Sequence, residues 1–274
     1  MPDLTTDVAV IGAGTAGLAA YRAARATGRR ALLIEAGVYG TTCARVGCMP
    51  SKLLIAPAEA AHAVERFAPF GLRLEGRVAV DGRAVMARVR SERDRFVGFV
   101  IEGVDAIPAA DKLVGPARFR SDTRLAVGSG KVVDARAIVI ATGSSPAYPP
   151  AWQALGSRLV TNEELFEWDD LPRSVAVFGP GVIGLELGQA LHRLGVRIKV
   201  FGRSGSVGPL SDPALIDEAK HVFGAEFRLE TGARTEVRAD AEGVVVSERD
   251  GAGAVQSERF DFLLAATGRR PNVN

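Results

Sequence analysis

Two short glycine-rich runs constrain the fold of this chain more than any other part of it. Gly12-Ala13-Gly14-Thr15-Ala16-Gly17 follows the apolar run 5–11, and Gly179-Pro180-Gly181-Val182-Ile183-Gly184 follows Ser174–Phe178. Behind the first come an alanine-rich stretch to about Ala26 and a second apolar run, 31–34, that ends on Glu35. Behind the second come an amphipathic stretch to about Leu194 and the run Arg197–Phe201. Strand, Gly-x-Gly-x-x-Gly, helix, strand is a βαβ unit. Its first glycine permits a tight turn, its second lets backbone approach a pyrophosphate, and its third lets helix pack on strand. The helix N-terminus then faces the phosphates. An acid at the position of Glu35 hydrogen-bonds a ribose hydroxyl. Each copy also runs later into Ala-Thr-Gly, at 137–143 and 262–268. A lone glycine loop is compatible with a purely structural turn. Two copies at matched places predict an α/β fold with two Rossmann-like dinucleotide-binding domains.

The remaining sequence fits such a chain. It has 274 residues, a net charge of +2 and 47% apolar residues, which excludes disorder. The 31 glycines and 6% aromatics favour many strand-to-helix turns over a β-sandwich. The Pro-rich run 144–150 predicts a boundary between domains 1–150 and 151–274. Within the first domain, helical patterns near 49–66 and 81–102 and a short-stranded meander, about 112–127, are expected as insertions. Gly128-Ser129-Gly130 reads as the turn after the meander.

Basic residues are spread along the chain, and the densest stretch, 88–95, is interrupted by Glu92 and Asp94. That pattern reads as a solvated helix face, so no nucleic-acid partner is expected. No run of about 18 apolar residues suggests a membrane span. The first seven residues lack the basic start and apolar core of a signal peptide, which makes the cytoplasm the expected compartment.

Only two cysteines occur, Cys43 and Cys48. On one continuous helix their Cα atoms would be about 7.5 Å apart along the axis, so a bridge needs a distorted turn. Gly47 permits one, and Pro50 interrupts the regular hydrogen bonding. A strained short-loop disulfide stabilises little and reduces readily, which suits redox work. Two incidental buried thiols, or a structural bridge, are the alternatives on spacing alone. No metal site is expected, because no further Cys and no nearby His completes a ligand set.

The run Gly40-Thr41-Thr42-Cys43-Ala44-Arg45-Val46-Gly47-Cys48-Met49-Pro50-Ser51-Lys52, with the first glycine loop before it, resembles the class I pyridine nucleotide-disulfide oxidoreductases. Dihydrolipoamide dehydrogenase, mercuric reductase and glutathione reductase are members. The chain keeps both cysteines, the intervening glycine and Pro-Ser-Lys of the family pattern. It departs at Arg45, where Asn is usual, and at Thr41, where a second Gly is usual.

That resemblance implies roles. Cys48 would lie against the flavin of FAD and Cys43 would exchange with a disulfide or dithiol substrate. Lys52 would sit by the flavin N5, and Glu186 would pair with it. Gly12, Gly14, Gly17, Glu35, Ala36, Thr42, Gly115, Ala141, Thr142 and Gly143 would line FAD, with Gly115 at the adenine. Gly179, Gly181, Gly184, Glu186, Arg203 and Gly268 would line NAD(P)(H). NAD-specific members end the second strand of that site on an acid; here the stretch reads Phe201-Gly202-Arg203-Ser204, without an acid, and Arg203 would meet a 2′-phosphate, favouring NADP, although an Arg after a strand is also an ordinary surface residue. Without the resemblance, Lys52 reads as a surface lysine and Glu186 as a first-turn acid.

The second glycine stretch is most like dihydrolipoamide dehydrogenase, with mercuric- and glutathione-reductase-like activities as alternatives. In the family a return segment, then a dimerisation domain with a His-Pro acid–base pair, would follow residue 274. The chain is thus expected to be part of a longer homodimeric enzyme, weakened in FAD binding and turnover. His62, His192 and His221 all fall in helical patterns and none precedes Pro. Two readings compete with the disulfide oxidoreductase: a non-catalytic flavin- or nucleotide-binding module, and a flavin monooxygenase or NADH oxidase with incidental cysteines.

Overall fold

The structure is a computed structural model, and residues 1–249 and 254–273 are described. Its contacts divide the chain into two compact units. One comprises residues 1–45, 93–145 and 271–274; the other comprises 46–92 and 146–270.

In the first unit, β1 (Leu4–Ile11), α1 (Thr15–Ala26) and β2 (Ala31–Glu35) are the predicted βαβ start. The alanine-rich sequence of α1 suits a helix, and Gly28, at φ 77°, turns the chain after it. Along the chain come next α2 (Thr42–Val46), α3 (Cys48–His62) and α4 (Gly82–Asp105), of which α3 and the start of α4 belong to the second unit. Strands β3 (Lys112–Val114), β4 (Ala117–Ser121), β5 (Arg124–Val127) and β6 (Lys131–Ile140) complete a six-stranded sheet of order β3-β2-β1-β6-β5-β4. The first four strands of that order are parallel, and β6-β5-β4 are antiparallel. The expected meander therefore loses its first strand. Leu33 to Glu35 pair in parallel with Lys112 to Val114, a register that follows a long helical crossover rather than a hairpin. Leu32, Ile34, Leu125 and Val133 fill one face of the sheet; Val10, Leu18, Leu33 and Val104 fill the other.

The second unit is ordered in the same way. Short β7 (Ser144–Pro146) leads to β8 (Leu159–Val160) and α5 (Asn162–Leu165), then β9 (Ser174–Phe178), α6 (Val182–Arg193) and β10 (Arg197–Phe201). Helix α7 (Pro213–Glu226) and β11 (Arg228–Glu230) follow, then the antiparallel strands β12 (Arg234–Ala239), β13 (Val244–Arg249) and β14 (Val255–Phe260). Finally come β15 (Phe262–Ala265) and β16 (Arg269–Pro271). The parallel sheet has order β11-β10-β9-β15-β8. Asp212 caps α7 by accepting from Ala214 N and Leu215 N at 2.8 and 3.3 Å, with Pro213 opening the helix. Leu54, Met86, Val89, Leu187, Leu191 and Leu264 pack as one buried cluster, so α3 and the start of α4 share the core of α6.

The stretch 88–95 is more than a solvated face. Arg88 Nη1 donates to the Leu53 carbonyl at 3.2 Å, Arg90 donates to the Trp168 carbonyl, and Arg93 is 8% exposed. Among the described residues every buried side-chain nitrogen and oxygen has a partner.

Candidate active site

The first glycine loop is built by backbone. Gly12 has φ 104°, and a Cβ there would stand 2.3 Å from the Ala141 carbonyl oxygen. A Cβ on Gly17 would meet the Gly12 carbonyl oxygen at 1.8 Å, so only glycine lets α1 sit so close to β1. Gly14 has open space around it, with α1 starting there and no side-chain cap. Uncapped N–H groups at a helix start are the kind of donor an anion accepts from. Glu35 is already oriented: its carboxylate accepts from Ala13 N at 2.7 Å and Gly37 N at 2.8 Å. Its carbonyl accepts from Gly115 N at 2.8 Å, which brings the Gly115 turn beside it. Gly115 has φ 139°, and a Cβ would stand 2.7 Å from Gly128 Cα. Ala141 N donates to the Ile11 carbonyl, and Asn272 donates from N and Nδ2 to the carbonyls of Gly143 and Thr142. Ala36 and Thr42 are exposed nearby in sequence. An open N–H-rich helix end beside a fixed carboxylate fits the diphosphate and ribose of an FAD. Burial pushes the Tyr39 phenol up, with the charges of Glu35 and Asp105 adding.

The redox segment breaks at Gly47, where φ is −128° and ψ −120°. Cys43 lies in α2 and the exposed Cys48 opens α3; both stand as thiols. Thr41, where the family pattern has Gly, takes φ 57°, and its Oγ1 accepts from Ala44 N at 3.1 Å. Lys52 lies one helical turn after Cys48, hence on the same face of α3. Its Nζ forms an ion pair with Glu186 on α6, so the structure joins these two sequence candidates.

The second glycine loop repeats the first. Gly179 has φ 107°, its Cβ would stand 2.3 Å from the Ala266 carbonyl oxygen, and a Cβ on Gly184 would meet the Gly179 carbonyl oxygen at 2.0 Å. Gly181 is open at the start of α6. A cavity of about 1060 Å³ adjoins this loop, lined by Gly179, Arg203, Ser204, Arg234 and Trp152 among others. Gly268, at φ 126°, lies just beyond this lining, which includes Thr267 and Arg270. Sequence reasoning missed Trp152, Arg234 and Arg270, since no local motif marks residues that only the folded cavity gathers.

The profile of the pyridine nucleotide-disulphide oxidoreductases matches residues 6–274. The chain belongs to this family. It is 35% identical over 281 residues to a mercuric reductase of Shigella flexneri, covering 97% of this chain and 48% of the relative. It is 34% identical over 279 residues to dihydrolipoyl dehydrogenase 3 of Pseudomonas aeruginosa, covering 97% and 58%. The chain thus spans about half the length of the curated relatives it matches. Among solved structures it resembles an HOCl-induced flavoprotein disulfide reductase of Escherichia coli in its copper(II) complex. There the TM-score is 0.78 at 20% identity, covering 98% of this chain and 57% of the other. That likeness concerns the fold, two Rossmann-like units. The family is FAD-binding, with NAD(P)H as electron donor. Among the described residues no helix is long and apolar enough to cross a membrane.

Proposed function

We propose that this chain carries the cofactor and redox centres of an FAD-dependent oxidoreductase that moves electrons between NAD(P)H and a disulfide or dithiol. The observation that carries this is the arrangement on α3. Cys48 stands at the helix start, where the partial positive charge of the dipole lies, and Lys52 sits one turn on, held by Glu186. Gly12, Gly14, Gly17, Glu35, Gly115, Ala141, Thr142 and Gly143 would hold FAD. When bound, the flavin supplies two-electron exchange between a nicotinamide and a thiol pair. Glu186 keeps the Lys52 ammonium oriented on the Cys48 face. Cys43 and Cys48 pass between dithiol and disulfide, releasing or taking up two electrons and two protons. Cys43, the outer thiol, attacks the substrate disulfide and expels one thiolate; Cys48 then attacks Cys43 and expels the second.

NADPH is the proposed nucleotide, because Arg203 and Arg234 line the cavity beside the second glycine loop and no acid ends β10. The enzyme is read as cytoplasmic and, as a whole protein, homodimeric. A dihydrolipoamide or another small dithiol is the substrate reading, with Hg²⁺ and glutathione disulfide as rivals. The test is an anaerobic titration of the FAD-loaded chain with dithiothreitol. A long-wavelength absorbance band in the parent, absent in Cys48→Ser, supports the assignment; reduction of the flavin with no such band in either protein overturns it.

A further inference from the structure

Along the redox segment two carbonyls lack a helical donor, one inside α3 and one just before it. Pro57 has no N–H for the carbonyl of Leu53, and the carbonyl of Val46 ends α2, where the break at Gly47 leaves it no helical donor. Both gaps are filled from elsewhere. Arg88 Nη1 donates to Leu53 at 3.2 Å, and Asn162 Nδ2 donates to Val46 at 2.7 Å. The two donors differ in character. Arg88 is exposed, whereas Asn162 is 7% exposed and held from both sides. Its Oδ1 accepts from Arg269 Nη1 at 3.3 Å, while Arg269 Nη2 donates to Glu163 Oε1 at 3.2 Å. That contact sets the amide's orientation, since only the oxygen can face a guanidinium. The turn bearing Asn162 is itself braced by a capping box between Thr161 and Glu164.

We propose that Asn162 is a positioning residue for the redox segment, its amide binding the last carbonyl of α2 and thereby setting where Cys48 stands. Val46 is followed by Gly47, the joint at which α2 ends and α3 begins. A glycine joint is soft, with many backbone conformations of similar energy. Fixing the carbonyl on its N-terminal side selects one of them, and Cys48 follows directly. This inference rests on the reading of Cys48 as the flavin-side thiol, and one arm of its test is independent of that reading.

Asn162→Asp keeps the size and the acceptor for Arg269 but has no donor for Val46; Asn162→Ala removes both. In both variants, hydrogen exchange of the segment 46–49 in the flavin-free chain is expected to speed up about tenfold, as for loss of one buried hydrogen bond. Exchange in β9 and α6 should stay as in the parent. In the FAD-loaded protein, the long-wavelength band after dithiol reduction should weaken several-fold in both. Parent-like exchange at 46–49 in Asn162→Asp overturns the proposal, and so does a lower melting temperature with an unchanged band. If the parent itself forms no band, the flavin reading fails while the exchange arm still decides: acceleration in Asn162→Asp supports the positioning role and a parent-like rate refutes it.

Discussion

The two glycine loops are nearly the same object made twice, and their one difference separates their chemistry. Gly12 and Gly179 share a φ near 105°, at 104° and 107°, and each would drive a Cβ to 2.3 Å from the carbonyl of the residue after the matching strand. Leu18 N and Leu185 N close the first helical turns on Gly14 and Gly181, both at 2.9 Å. The middle residues differ. Ala13 has an N–H, and it binds the Glu35 carboxylate at the end of β2. Pro180 has none, and the residue after β10 is Gly202, where a Cβ would stand 2.6 Å from the Pro180 ring. A carboxylate at that place would lack both its donor and its room. The fixed carboxylate beside the first loop and the arginine-flanked cavity beside the second therefore follow from a pair of linked differences, Ala13 with Glu35 against Pro180 with Gly202.

The sharpest way to break the comparison is at the third glycines. Gly17→Ala and Gly184→Ala should each destabilise by about 3 kcal/mol or more, because a methyl meets backbone that cannot yield. Each is expected to abolish binding of its own nucleotide only, measured by flavin fluorescence for FAD and by titration for NADPH. Loss of both ligands in either variant would break the parallel. Glu35→Ala comes next: it frees the N–H groups of Ala13 and Gly37 and should weaken FAD by about 2 kcal/mol, leaving NADPH unchanged. In the second loop, Arg203→Ala should weaken NADPH about tenfold, or about 1.4 kcal/mol, with NADH unaffected. Equal losses for both nucleotides would remove the 2′-phosphate reading.

The helices behind the loops are anchored by opposite chemistry, which gives a smaller contrast of about 1 kcal/mol each. On α1, Tyr21 donates to Asp111 Oδ2 at 2.7 Å, and burial with that bond pushes its pKa from 10.0 to about 12. The bond stabilises fully below pH 10 and is lost as pH rises towards 12, so Tyr21→Phe should flatten the alkaline limb of a melting-temperature profile. On α6, the hydrogen bond from Arg193 holds the Glu226 carboxyl below its ordinary 4.5. That stability is present above pH 4.5 and disappears as pH falls through the lowered value, so Glu226→Gln should flatten the acid limb. The smallest effect is at Thr41. Its left-handed backbone suits glycine, and Thr41→Gly should raise stability by about 0.5 kcal/mol after loss of its bond to Ala44.

Much of this was open to reading in one dimension. The glycine spacings, the strands on either side of them and the helices through Ala26 and about Leu194 are set by short-range geometry, where a positive φ or a close backbone approach demands a particular residue. Long-range pairings were less accessible. Lys112 to Val114 read as the start of a meander, because a three-residue strand has no period with which to declare its partner, and the crossover helix made it parallel. Arg88 to Arg93 read as solvated, because charge spacing along a helix does not say which carbonyls lie across from it.

Gly47 and Pro57 mark where the two kinds of knowledge divide. By itself, the sequence determined that α3 would lack a donor at Pro57, that the chain would turn tightly twice on glycine, and that an acid would end β2 while none would end β10. Each follows from the covalent structure of a residue and its near neighbours. Only the tertiary structure decided that Asn162, 116 residues from Val46, fills one gap, that Glu186 meets Lys52, and that Arg203 and Arg234 share a cavity. A missing hydrogen bond states a need, and many side chains can meet it; which one does depends on packing that brings distant segments within about 3 Å.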